Sequence, residues 1–147
     1  MLAVSLYGKN GVDWNDAVQG STATCYLVQG MAGVAEFPEI IMKVFGKQEL
    51  NNEGIYFLDL FIRGKPWTVV VDDIFLFKSA SSGFDKYILK AARLGDDRSL
   101  WGPLVEKAWA KIVGNYEVAD YGLMKNGFRV LSGAPTFGYS LRLKSSA

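Results

Sequence analysis

Gln19-Gly20-Ser21-Thr22-Ala23-Thr24-Cys25-Tyr26-Leu27 places the one cysteine of this chain at the start of an apolar run. Thr22 or Thr24 can N-cap a helix beginning near Cys25. Leu27, Val28, Met31, Val34 and Ala35 continue that helix at the right spacing. A cysteine at a helix N-terminus meets unpaired N–H groups and the positive end of the dipole, which favour its thiolate. A glutamine, Gln19, lies six residues before it. A cysteine that works as a nucleophile also needs a base to take its proton and later return it. Imidazole is the usual base, and the chain contains no histidine.

Outward from this segment, Gly30 and Gly33 each weaken the helix by about 1 kcal/mol in isolation. They therefore predict a second backbone packed closely against it. Pro38 suits the first turn of a short helix reaching about Phe45. Residues 1–24 read as irregular and 46–52 as a loop. Gly54 to Arg63 and Trp67 to Val71 are rich in β-branched and aromatic residues, and Arg63-Gly64-Lys65-Pro66 between them predicts a hairpin. Its inner face is Tyr56, Leu58, Leu60 and Ile62, with Asp59 and Arg63 opposite. Val69-Val70-Val71 is apolar on both faces and is expected to be covered on both. Asp72-Asp73 is expected to end the strand and to meet Lys or Arg partners. Leu76 to Lys78 can add one further strand.

Phe84, Tyr87, Ile88 and Ala91 have helical spacing, although serines precede them and Gly95-Asp96-Asp97 follows. The strongest helical pattern is Leu100, Trp101, Leu104, Val105, Ala108, Trp109 and Ile112, with Pro103 in the first turn and Gly114 as C-cap. Trp101 and Trp109 are expected in the core, and Glu106, Lys107 and Lys111 on a solvated face. A last short helix spans Leu123 to Leu131, stopped by Ser132-Gly133-Ala134-Pro135.

With 147 residues the chain is expected to form one domain with a real core. A net charge of +1, with acids and bases interspersed, gives no basic face for nucleic acid or an anionic membrane. The apolar runs are too short and too broken to span a bilayer. Met1 to Gly8 does not read as a secretory leader. One cysteine cannot form an internal disulfide, which fits a reducing compartment, so an intracellular, cytoplasmic location is expected. One cysteine and no histidine exclude a zinc site of the usual ligands.

Three stretches, in one order, carry a family resemblance. Gln19 to Leu27 resembles the Q-G-x-x-G-D-C nucleophile segment of the calpains, intracellular cysteine endopeptidases of papain-like fold. Gly64-Lys65-Pro66-Trp67-Thr68-Val69-Val70-Val71-Asp72-Asp73 resembles their G-x-W-x-x-V-x-V-D-D hairpin. Leu100-Trp101-Gly102-Pro103-Leu104-Val105-Glu106-Lys107-Ala108-Trp109-Ala110-Lys111, followed by Gly114-Asn115-Tyr116-Glu117, is similar to their F-W-x-x-L-L-E-K-A-Y-A-K helix and N-G-x-Y-E. The match runs from about Gly11 to about Gly133. It implies an α+β fold: the papain-like, calpain-type, mainly helical half-domain that bears the nucleophile, with further helices and a small antiparallel hairpin. The expected division is a protease-core subdomain over 1–140 and a tail or linker over 141–147.

The resemblance implies that Cys25 holds the nucleophile position and Gln19 the oxyanion-hole position. It also places the family's catalytic His and Asn in the other, β-rich half. Ala23-Thr24 stands where the family has Gly-Asp, and Tyr26 where it usually has Trp. A calcium site is implied as well. Gly11 and Asp16 match its first ligands, while Ser99 replaces its glutamate. Calcium takes about six to eight oxygens, so the lost carboxylate weakens the site, and Asp16 reads first as a loop cap. The leading functional expectation is a non-catalytic half-core acting as a structural or protein-interaction subunit. The alternative is the Cys-bearing half of a calpain-type cysteine endopeptidase whose His and Asn lie on another chain or outside this sequence. Calcium-gated assembly without catalysis is a third. Each implies a protein partner, and Tyr7, Trp14, Tyr26, Tyr121 and Phe137 are candidates for its surface.

Overall fold

Apolar periodicity turns into four helices and two small antiparallel sheets among the residues that the computed structural model describes, 4–46, 48–79 and 87–139. Phe84 and the expected tail at 141–147 lie outside them. After an irregular N-terminal stretch with one 3-10 turn, Trp14–Asp16, come α1 (Cys25–Ala35) and α2 (Pro38–Phe45). The hairpin is β1 (Ile55–Ile62) and β2 (Lys65–Asp72), and a second strand pair is β3 (Phe77–Ser79) and β4 (Tyr87–Leu89). α3 (Trp101–Val113) and α4 (Met124–Ser132) follow. The α+β class expected from the sequence holds, and no described helix is long and apolar enough to cross a membrane.

α1 and α4 meet where both lack a side chain. A Cβ on Gly30 would lie 2.9 Å from the Gly127 Cα, and one on Gly127 would lie 3.1 Å from the Gly30 Cα. Of the two glycines that weaken α1 in isolation, Gly30 thus allows the expected backbone-to-backbone packing, whereas Gly33 makes room for the Phe128 ring, 2.7 Å from where its Cβ would lie. Around this crossing, Leu27 and Met31 of α1, Ile41 and Phe45 of α2, Trp101 and Leu104 of α3, and Leu131 of α4 join one core. Each such side chain contributes about 1.5–3 kcal/mol when fully buried.

The hairpin closes through Arg63-Gly64, whose φ values of 52° and 77° are both positive, as a two-residue turn matched to strand twist requires. Tyr56, Leu58 and Leu60 face the core in alternation with exposed Ile55, Phe57 and Asp59. Val69 and Val71 pair with Leu58 and Tyr56 on the inner face. Val70 pairs with Phe57 on the outer face and is 38% exposed, so the expectation of cover on both faces fails there. Side chains close both edges of this ribbon. Gln48 accepts from the Phe57 N–H (2.9 Å) and donates to its carbonyl (2.5 Å), while Lys111 donates to the Val70 carbonyl (2.7 Å).

Two further expectations are corrected. The helical spacing through Tyr87 and Ile88 belongs to a strand, because Phe77–Ser79 pairs antiparallel with Tyr87–Leu89. The Glu106, Lys107 and Lys111 face is not a solvated one. Glu106 is fully buried, Lys107 bonds Asp72 and the Ile74 carbonyl, and only Lys111 is exposed. The Lys107 pairing is the partner expected for Asp72, and it holds that carboxyl below its ordinary range.

Candidate active site

The loop from Val18 to Thr24 reaches α1 between two flanking segments. On one side the Val18 carbonyl accepts from Arg93 N–H (2.9 Å), and Ser21 N–H donates to the Lys90 carbonyl (2.8 Å). A Cβ on Gly20 would run into the Ala91 carbonyl, so this approach requires glycine. On the other side Ala23 N–H donates to Asp120 Oδ1 (2.8 Å), and the Ala23 carbonyl accepts from Tyr121 N–H (3.0 Å). Tyr121 has φ 60°, in the left-handed region that a non-glycine residue enters at a cost.

Cys25 is the first residue of α1 and is exposed. A lone apolar-helix cysteine is usually a small buried hydrophobe; this one faces solvent. Thr24 is the N-cap by position, but its hydroxyl makes no capping bond. It turns inward to the Glu106 carboxylate, while its carbonyl accepts from Leu27 N–H (2.8 Å) and Val28 N–H (3.1 Å). Gln19 is exposed on the same loop, and its Nε2 donates to the Thr22 carbonyl (2.9 Å). That nitrogen carries two hydrogens, so one remains for another acceptor.

Directly after the cysteine, Tyr26 is buried rather than on a partner surface as expected. Its hydroxyl donates to the Ala119 carbonyl (2.8 Å) and accepts from Trp109 Nε1 (2.7 Å). Burial pushes its phenol above the ordinary range, against the Trp109 hydrogen bond. A Cβ on Gly122 would meet the Tyr26 ring at 2.5–2.8 Å. Tyr7, also expected at the surface, is partly buried with its ring edge-on to Phe45, centroids 6.0 Å apart. Trp14, Tyr121 and Phe137 are exposed.

The loop residues matched to calcium ligands have a different setting. Asp16 is 3% exposed, and its Oδ2 accepts from Trp101 Nε1 (3.0 Å) and Asp13 N–H (3.0 Å), closing a capping box on the 3-10 turn. Burial pushes its carboxyl up, the two hydrogen bonds pull it down, and the charge on Asp97 adds to the rise. Gly11 takes φ 85° in the turn before it. Among the described residues no three Asp, Glu, Cys or His side chains converge to hold a metal ion. One oxygen of Asp16 is committed to the fold and Ser99 offers a hydroxyl where the family pattern has a carboxylate, so these positions supply one carboxylate fewer than that pattern.

Sequence reasoning missed Glu106 and Asp120, which hold the loop from inside and from the side. Glu106 carried a readable signal: its i−4 and i+4 neighbours, Gly102 and Ala110, are small and buried, which places it on the inner face of α3. Asp120 is reached through loops and carried none.

The chain matches the family model described as calpain family cysteine protease over residues 3–147. It is 32% identical over 122 residues to the calpain-type cysteine protease DEK1 of Zea mays, covering 83% of this chain and 5% of that protein. It is 29% identical over 136 residues to the calpain-1 catalytic subunit of Homo sapiens, covering 90% of this chain and 18% of that protein. To calpain-12 of Mus musculus it is 31% identical over 117 residues, covering 77% of this chain and 15% of that protein. The chain thus spans less than a fifth of the length of these relatives.

Proposed function

Because the chain belongs to the calpain family of cysteine proteases, we propose that it is the nucleophile-bearing half of a calpain-type endopeptidase core, inert until a second unit presents an imidazole to Cys25. That unit is another chain or another part of a longer polypeptide. The observation that carries this reading is an exposed Cys25 at the first position of α1 in a chain without histidine. In the assembled site the Cys25 sulfur attacks a peptide carbonyl, and the partner's imidazole relays the proton to the leaving amine. Gln19 directs its uncommitted amide hydrogen at the oxyanion together with a backbone N–H at Cys25. Calcium takes no part in this reading.

A peptidyl epoxide tests it, since ring opening needs a thiolate and a proton donor together. In the assembly captured from native extract, the epoxide is expected to mark Cys25, and mass spectrometry of the captured material to identify the imidazole-bearing partner. In the purified chain only iodoacetamide is expected to react. An assembly with its partners present and no epoxide adduct would overturn the proposal.

A second reading, a protein-interaction subunit without catalysis, is favoured by the exposed aromatic side chains of Trp14, Tyr121 and Phe137, exposed by 51%, 86% and 79%. It predicts a stable partner and no epoxide adduct. Neither reading calls for nucleic acid.

A further inference from the structure

We propose that Glu106 is a positioning residue for Cys25: its carboxylate, buried inside α3, holds the loop that carries the thiol, and Thr24 is the residue through which it acts. This deepens the reading above and rests on it for its catalytic meaning. Glu106 is 0% exposed. Its Oε1 faces the hydroxyls of Thr22 (2.9 Å) and Thr24, and its Oε2 accepts from Ala92 N–H. A buried carboxylate is costly unless it is hydrogen-bonded, and every group turned towards this one is a donor. The two hydroxyls also lie 2.9 Å apart; with both protons donated to Glu106, neither is left for that contact.

The positions of these donors make the assignment functional rather than merely architectural. Thr22 and Thr24 flank Ala23, and Thr24 is the residue immediately before Cys25. Ala92 lies in the segment already bonded to the loop through Lys90 and Arg93. One carboxylate therefore joins α3, the nucleophile loop and its flanking strap. The missing cap hydrogen bond at α1 follows from the same contact, because the Thr24 hydroxyl is committed inward to Glu106.

Amide hydrogen exchange on the purified protein tests this. Thr24→Val removes one donor at constant shape, Glu106→Gln sets an amide donor among donors, and Thr24→Ser keeps the hydroxyl. Expected are at least tenfold faster exchange across 20–28 and 90–93 in Thr24→Val and Glu106→Gln, wild-type exchange across α2 and the β1–β2 hairpin, and wild-type behaviour throughout in Thr24→Ser. Faster exchange spread evenly over the core, or unchanged exchange at 20–28, would overturn the proposal. Should Glu106→Gln fail to fold, Thr22→Val and Thr24→Ser decide by the same criterion. In the assembly, Thr24→Val is further expected to slow epoxide capture of Cys25 about tenfold, with iodoacetamide labelling retained. Absence of capture in the wild type would overturn the endopeptidase reading and leave the exchange result standing.

Discussion

Cys25 and Thr24 are neighbours with opposite orientations: the first is exposed at the head of α1, the second is fully buried against Glu106. Exposure leaves Cys25 open to alkylation in the folded state. One equivalent of iodoacetamide label per chain is expected under native conditions, and label that appears only in denaturant would contradict the exposed placement. A second residue-scale prediction concerns Tyr116, whose phenol is pushed up to about 12 by burial, then by the charges of Glu106 and Asp72. Between its ordinary value of 10.0 and about 12, the unfolded chain releases a proton that the native state keeps. Stability therefore falls as pH rises through that window. Tyr116→Phe is expected to flatten the fall, and identical alkaline melting profiles for variant and wild type would contradict it. Legibility was uneven at this scale. Motif spacing singles out Cys25 and Gln19, and both lie exposed, one at the head of α1 and the other on the loop before it. Glu106 was misread because charge type was given more weight than the small residues one turn to either side.

Among elements, the decisive contact is the α1–α4 crossing, where Gly30 and Gly127 let two backbones touch. An exposed helical glycine replaced by alanine gains up to about 1 kcal/mol. Gly30→Ala should instead cost about 1–3 kcal/mol through overpacking, read as a lower Tm; a raised Tm would contradict the crossing. Pairing by Gln48 on the β1 edge offers a further check. Gln48→Ala should cost about 1 kcal/mol, since two backbone hydrogen bonds of Phe57 pass to water. An unchanged denaturation midpoint would show that this edge needs no cover. The starts of α1, α2 and α3 were legible from local signals, Pro38 and Pro103 among them; the hairpin was legible as a pair, but Lys65 and Pro66, read as part of its turn, belong to β2. β4 was not, because three residues cannot reveal a period, and its partner strand fixes its state. The outer exposure of Val70 was hidden for a related reason: an apolar residue on a two-stranded ribbon reads the same whether or not anything covers it.

For the whole molecule, the fold is a frame for one loop. α3 supplies Glu106 beneath it, the 90–93 segment and the 120–121 segment bind its two sides, and α1 leads away from it with Cys25 at its head. That three distant stretches follow the calpain order was visible in the sequence. That α3 and the 90–93 and 120–121 segments converge on the nucleophile-position loop was not, because the convergence runs through hydrogen bonds between residues far apart in the chain. On the proposed reading, Cys25 is a nucleophile whose base a second unit supplies. The most direct test is epoxide labelling of Cys25, measured side by side in the purified chain and in the native assembly. The account predicts an adduct on Cys25 in the assembly alone. Equal labelling in both, or none in an assembly whose partners are retained, would contradict it.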